Sequence, residues 1–422
     1  MERKYICNNG VPIYTYKNEN LHSFHLSLFF KAGSLYESEE ECGITHFFEH
    51  AAIRNVNRLM NGELYKLLDG RGVEFNASTY SEMCQFYTGG AVENFTFCKD
   101  IICKVLSPIT LDTAEMDAER KRIKAEIREN DEGRSLSGIA AETVHEGTSL
   151  ARSILGTVKS VNQINAKRLN EYREKIITRG NFFFYLTGNF DDADLSSLAS
   201  EIEKYEVKEG EIRSNIAPVS QNFFKRGAKV HIKNSDCSSV RFTFDLDMTE
   251  CPFPEGDLIY DVLFNGYSSP FFIKMSEEEG LFYDITSSSE RYKNIGNIAF
   301  SFEVKQRDIY RSVEMALQIL RDFKSRALGE EELMKSSYVK NSEILLDDAR
   351  ELAFTFAYDN HIMELGYGSV EDRAKRYERI TGEQIKALAN KIFTADNLTV
   401  VIKARKRNMD IEKIKALVYK YL

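Results

Sequence analysis

The chain repeats itself. A displacement of 216 positions carries the alternating run Phe24-His-Leu-Ser-Leu-Phe-Phe30 onto Val240-Arg-Phe-Thr-Phe-Asp-Leu246 in the same phase. Period-two alternation marks a strand with one buried face. The same displacement aligns a second, distant pair. Ile164-Asn165 opens a helical pattern through Leu169, Tyr172 and Ile176, with Asn165 as N-cap, and Arg179-Gly180-Asn181 closes it before a strand Phe182-Phe-Phe-Tyr-Leu186. Its counterpart opens at Ile380-Thr381, runs through Ile385, Leu388 and Ile392, closes at Ala395-Asp396-Asn397 and leads into Leu398-Thr-Val-Val-Ile402. One displacement serving both pairs implies duplication, because a single insertion between them would spoil it.

Size supports the same division, since 422 residues exceed the roughly 250–300 over which one hydrophobic core keeps growing. The polar segment Glu206 to Arg226, with Gly210 and Pro218, reads as a linker. The expected domains are therefore 1–206 and 227–422. Each mixes amphipathic helices with hairpin-like strands in non-alternating order, which predicts an α+β fold: an antiparallel sheet with helices packed on one face.

Composition narrows the functional classes. A net charge of −9 argues against a general nucleic-acid binder, which would show phosphates a basic face. Nowhere do about 18 apolar residues run together, and the amino terminus has no apolar signal core, so no membrane segment is expected. Seven scattered cysteines without a C-x-x-C spacing fit a reducing compartment rather than a disulfide framework. The expected location is the cytoplasm.

His46-Phe-Phe-Glu49-His50 is the most informative stretch. On a helix, residues four apart lie one above the other, so both imidazoles can reach one ion, and Glu49 stays beside it. Hydrolytic zinc takes three protein ligands and leaves a position for water. The order H-x-x-E-H is a zinc-peptidase signature. A third ligand is required, and Glu119, Ile123 and Glu126 recur at helical spacing on one face of a charged segment, which on its own would read as a solvated helix.

With these residues the chain resembles the M16 peptidases, the inverted-zincin group of insulin-degrading enzyme, pitrilysin and mitochondrial processing peptidase, and within it short bacterial M16B-type subunits similar to the processing peptidase beta subunit. In that family the third ligand lies 76 residues after the second histidine, where Glu126 stands, and an accessory glutamate seven residues earlier, where Glu119 stands. Gly33-Ser34-x-x-Glu37 leading into Gly43-Ile-Thr-His46 is similar to the approach to its metal helix, and Asn76-Ala-Ser-Thr79 to its N-A-x-T edge strand. The duplicated halves match its two-domain metallohydrolase fold.

The resemblance implies Zn2+ on His46, His50 and Glu126, with Glu49 activating water and Glu119 tuning the site. It implies that Asn76 and Ala77 bind an extended peptide substrate by sheet-edge pairing. The family's second half contributes an arginine and a tyrosine to substrate and oxyanion. Here Tyr283 is kept, but Ser276 stands at the arginine position. That departure implies a heterodimer with an M16-like partner that supplies the pair. The expected activity is a zinc endopeptidase acting on unfolded peptides or precursor leaders; the alternative is a non-catalytic scaffold or peptide-binding subunit. Ala51-Ala-Ile-Arg-Asn55 departs from the family's F-K-G-T neighbourhood and bears on pocket shape.

Overall fold

The computed structural model describes residues 1–132, 135–210, 213, 227–249, 253–325 and 330–422. Most of the expected linker, at 211–212 and 214–226, lies outside the described residues, as does Cys251. The chain forms two compact units. One comprises Met1–Glu132, Arg152–Asn215 and Ser342–Val370; the other Gly133–Ala151, Ile216–Asn341 and Glu371–Leu422.

The first unit holds β1 (Arg3–Ile6), β2 (Pro12–Lys17), β3 (Ser23–Phe30), β4 (Glu74–Thr79), β5 (Cys84–Ala91) and β6 (Phe182–Gly188), in the spatial order β1-β2-β6-β3-β5-β4. The second holds β7 (Lys229–Asn234), β8 (Ser239–Asp247), β9 (Ile285–Arg291), β10 (Ile295–Glu303) and β11 (Leu398–Ala404), in the order β7-β11-β8-β10-β9. Apart from β1, the sheets repeat each other strand for strand. Both are antiparallel except for one parallel pair each, β2 with β6 and β7 with β11. The helices Ala166–Ile176 and Gly382–Ile392 also correspond, each before the parallel-paired strand. Their N-caps satisfy otherwise unpaired N–H groups: Asn165 accepts from the Arg168 N–H at 3.0 Å, and Thr381 forms a capping box with Gln384.

Alternation decides which face each strand buries. Leu26, Leu28 and Phe30 of β3 join Phe47, Phe48, Phe86 and Phe184 beneath the helices of the first unit. Phe242 and Phe244 of β8 do the same in the second, with Phe300 and Val400. A short helix covers the opposite face of each sheet. Ala349–Ala357 sets Leu352 and Phe356 on Phe29, Phe183 and Tyr185 in the first unit. Leu136–Val144 sets Ile139 and Ala140 on Val401 in the second. The run Phe182–Tyr185 is thus core strand on both sides. Among the described residues, no helix is long and apolar enough to cross a membrane.

Candidate metal centre

Two short 3-10 turns, Ser34–Tyr36 and Glu39–Glu41, separate β3 from the helix Ile44–Leu59, which begins at a sharp turn. Gly43 adopts φ 83°, and a Cβ there would lie 2.7 Å from the Gly156 Cα, so only glycine fits. The buried Glu37 carboxylate accepts from the Gly43 N–H (2.8 Å), the Thr45 N–H (2.9 Å) and the Thr45 hydroxyl (2.7 Å). An anion at a helix start satisfies orphan donors and opposes the helix dipole. The Thr45 hydroxyl also meets the Tyr172 hydroxyl at 2.6 Å. Ile44, Phe47, Phe48 and Ala51 are buried in the core. With that stripe anchored, His46 and His50 share the other face, their rings 4.7 Å apart.

The helix Thr113–Glu132 packs against it and buries Met116 and Ile123. Its periodicity then aims Glu119 and Glu126 at the histidines. Glu126 reaches His46 Nε2 with one oxygen and His50 Nε2 with the other, each at 3.6 Å. All three donor groups lie within 4.8 Å of one another. A tetrahedral zinc with bonds of about 2.0–2.2 Å sets its ligand atoms roughly 3.3–3.6 Å apart. The donor set is the one such an ion takes, and its atoms are gathered to within roughly an ångström of that spacing.

The next layer orients these groups. Glu119, 1% exposed, faces His50 Nδ1 at 3.1 Å, which fixes the tautomer that leaves the Nε2 lone pair free. Arg54 Nε donates to the other Glu119 oxygen. Burial raises the Glu119 carboxyl, but the bonds from His50 and Arg54 outweigh it and bring it down to about 2. Burial, with His50 nearby, pushes His46 down to about 3, so its imidazole is neutral at pH 7. Burial would also lower His50; its bond to Glu119 and the nearby Glu126 and Glu49 carboxylates raise it instead.

Glu49 projects beside the cluster. Burial raises its carboxyl, against the opposing effect of a hydrogen bond donated by the Thr79 hydroxyl. A raised carboxyl suits proton transfer near neutrality. Glu49, His50 and Glu126 line a cavity of 280 Å³, with Arg54, Tyr65 and Asn76 among its other walls. Asn76 and Ala77 lie on β4, the edge strand next to β5. The Asn76 side chain accepts from the Ala77 N–H at 2.9 Å, while the Ala77 methyl is buried. Among the described residues no strand pairs with the far side of β4, which is therefore the edge of its sheet.

The family model described as Insulinase (Peptidase family M16) matches residues 13–158, and the one described as Peptidase M16 inactive domain matches residues 163–336. The chain belongs to peptidase family M16. YmxG of Bacillus subtilis (strain 168), named as a zinc protease, is 21% identical over 406 residues, 95% of this chain and 98% of that one. Mitochondrial-processing peptidase subunit beta of Mus musculus is 28% identical over 168 residues, 39% of this chain and 34% of that subunit. A protease from Helicobacter pylori shares the fold, with a TM-score of 0.82 at 16% identity, covering 96% of this chain and 99% of that chain.

In this M16 chain, His46, His50, Glu126, Glu49, Glu119 and Asn76 come together. Tyr283 belongs to the second unit, where its side chain is 96% exposed and lines a separate cavity with Ser239, Ser301 and Lys403. The Ser276 hydroxyl donates to the Phe282 carbonyl at 2.9 Å, so it fastens the turn before Tyr283. Reading the sequence missed three roles: Thr79 as donor to Glu49, Arg54 as donor to Glu119, and Arg122 in the cavity wall. Thr79 and Arg54 lay within motifs already singled out; Arg122 carried no signal beyond its place between Glu119 and Glu126.

Proposed function

We propose that the chain is the zinc-carrying subunit of a cytoplasmic endopeptidase that cuts unfolded peptides or precursor leaders, with an M16-like partner supplying the arginine–tyrosine pair. The observation that carries the reading is the joint approach of His46 Nε2 and His50 Nε2 to Glu126 at 3.6 Å, next to a buried Glu49 and an open cavity. Held by His46, His50 and Glu126, Zn2+ would supply the positive charge that acidifies a water and polarises the scissile carbonyl. Glu49 takes the proton of the attacking water on its carboxylate and returns it to the leaving amine nitrogen. Thr79 holds that carboxylate in place, and Glu119 holds His50 through Nδ1. The outer edge of β4 pairs with substrate backbone, which selects extended chains over folded ones.

Ser276 offers no fixed positive charge, which favours a partner over self-sufficiency. Free cysteines at Cys7, Cys42, Cys84, Cys98, Cys103 and Cys237 support a reducing location. A non-catalytic scaffold would have no use for a base beside the metal ligands, and here Glu49 is present.

The test is hydrolysis of a mixed library of unfolded peptides by the zinc-loaded chain, with Glu49→Gln as the blank. Cleavage by the wild type and not by the variant is expected once the partner is present; the chain alone reports whether Ser276 makes that partner necessary. Equal activity of variant and wild type in the assembled protein would refute the peptidase reading.

A further inference from the structure

The cavity beside the histidines has a cationic wall that the proposed hydrolysis does not use. Arg54 and Arg122 both line it. Both approach the same carboxylate: Arg54 Nε donates to Glu119 Oε1, and Arg122 Nη1 lies 3.5 Å from that oxygen. The other Glu119 oxygen faces His50. Two guanidinium groups thus gather on the one Glu119 carboxylate, while Glu126 and Glu49, which line the same cavity, face the histidines and the Thr79 hydroxyl. Neither guanidinium forms an ion pair with Glu49 or Glu126 among the described residues. Arg54 is held by its bond to Glu119, its side chain 31% exposed, whereas the Arg122 side chain is 65% exposed. Tyr65 adds a hydroxyl and Ile53 an apolar floor for a short methylene stem.

Resting on the peptidase reading, we infer that this wall is a side-chain subsite for a carboxylate, and that the chain cuts preferentially beside an aspartate or glutamate of its substrate. A guanidinium fork matches a carboxylate in geometry and charge and binds it far better than an uncharged amide of the same shape. The same wall repels lysine or arginine at that position, so attraction and exclusion act together. The 280 Å³ cavity has room for such a side chain.

The test uses one unstructured peptide with a single cleaved bond, varied on either side of that bond to Asp, Glu, Asn, Gln or Lys. Zinc-loaded protein, assembled with its partner subunit if cleavage requires one, is expected to show a kcat/KM for the acid about tenfold or more above the amide at one of the two positions. Arg122→Glu is expected to invert the order in favour of lysine while zinc content stays unchanged. Binding of the same peptides to zinc-loaded Glu49→Gln, read by titration calorimetry, should follow the wild-type ranking. Cleavage without an acid preference, or an Arg122→Glu effect equal on all peptides, overturns the subsite and leaves the peptidase standing. Preferential binding of acidic peptides that are never cut keeps the subsite and overturns the peptidase. No cleavage and no ranked binding overturns both.

Discussion

The helix after β3 and the helix after β8 occupy the same place in the duplicated fold, yet they settle their charges in opposite ways. The first carries His46 and His50, one turn apart; the second, Phe253–Phe264, carries Asp257 and Asp261 at the same spacing. In the first unit a carboxylate from the facing helix stands 3.6 Å from two imidazole nitrogens, a donor set that an ion would complete. In the second the protein brings its own cation. Arg291, at the end of β9 and 6% exposed, pairs with Asp257, which also accepts from the Tyr377 hydroxyl at 2.8 Å. Among the described residues, no other three His, Cys, Asp or Glu side chains converge as His46, His50 and Glu126 do. A built-in guanidinium makes a unit complete without outside help; an open donor set makes it dependent on metal and available for chemistry.

The contrast is broken most severely at the open donor set. Glu126→Gln or His50→Ala should abolish stoichiometric zinc binding, measured by atomic absorption after gel filtration, and all peptide cleavage with it. Zinc retained at one equivalent in Glu126→Gln would mean the ligand set is misassigned. Glu49→Gln should behave differently, keeping zinc and lowering kcat roughly 10²–10⁴-fold, the range for a general base. Loss of zinc in that variant would move Glu49 from proton carrier to ligand.

At the closed site the readout is stability. Arg291→Leu leaves the Asp257 charge without its partner in a largely buried setting and should cost roughly 3 kcal/mol in urea unfolding. Zinc content should not change, because no ligand lies in that unit. An unperturbed midpoint would show that Tyr377 and solvent suffice for Asp257, and that the guanidinium does not take the ion's place.

How far this could be read from the sequence depends on the distance over which each contact acts. His46, Glu49 and His50 were legible because a helix turn is local; Glu119 and Glu126 shared a helical face with Ile123, but only the resemblance to the M16 peptidases singled them out as site residues. The cap at Asn165 was local too, and the structure bears it out; Thr381 caps the corresponding helix of the second unit. The bond from Thr79 to Glu49 crosses from a strand to a helix 30 positions earlier, and that from Arg54 to Glu119 joins two helices 65 positions apart. No pattern encodes such pairs before packing is known. The apolar spacing of Leu352, Ala353 and Phe356 suggests an amphipathic helix, but nothing in it says that the helix covers Phe29, Phe183 and Tyr185 of a distant sheet. Asp257 and Asp261 read as ordinary helix carboxylates until Arg291 and Tyr377 are seen beside them.

Asp261 gives the mildest and most directional probe of the comparison. Burial first, and then the neighbouring Asp257 charge, raise its carboxyl from 3.8 to about 6. Below 3.8 both folded and unfolded chains hold the proton and no stability is at stake. Between 3.8 and 6 the unfolded chain ionises while the folded one does not, so rising pH favours unfolding; above 6 the penalty is constant. Asp261→Asn removes that ionisation and can still accept from the Asn265 amide that donates to Asp261. The variant should match the wild type at pH 3 and exceed it by roughly 2–3 kcal/mol at pH 7.5, with the gain growing between pH 3.8 and 6. A pH-independent difference would locate the effect in packing instead. If the gain follows the window as stated, the second unit tolerates one of its two helix carboxylates at a cost, since Arg291 pairs with Asp257 and offsets Asp261 only in part. The first unit meets the same excess of carboxylates at Glu119 and Glu126 with Arg54 for one and a metal for the other.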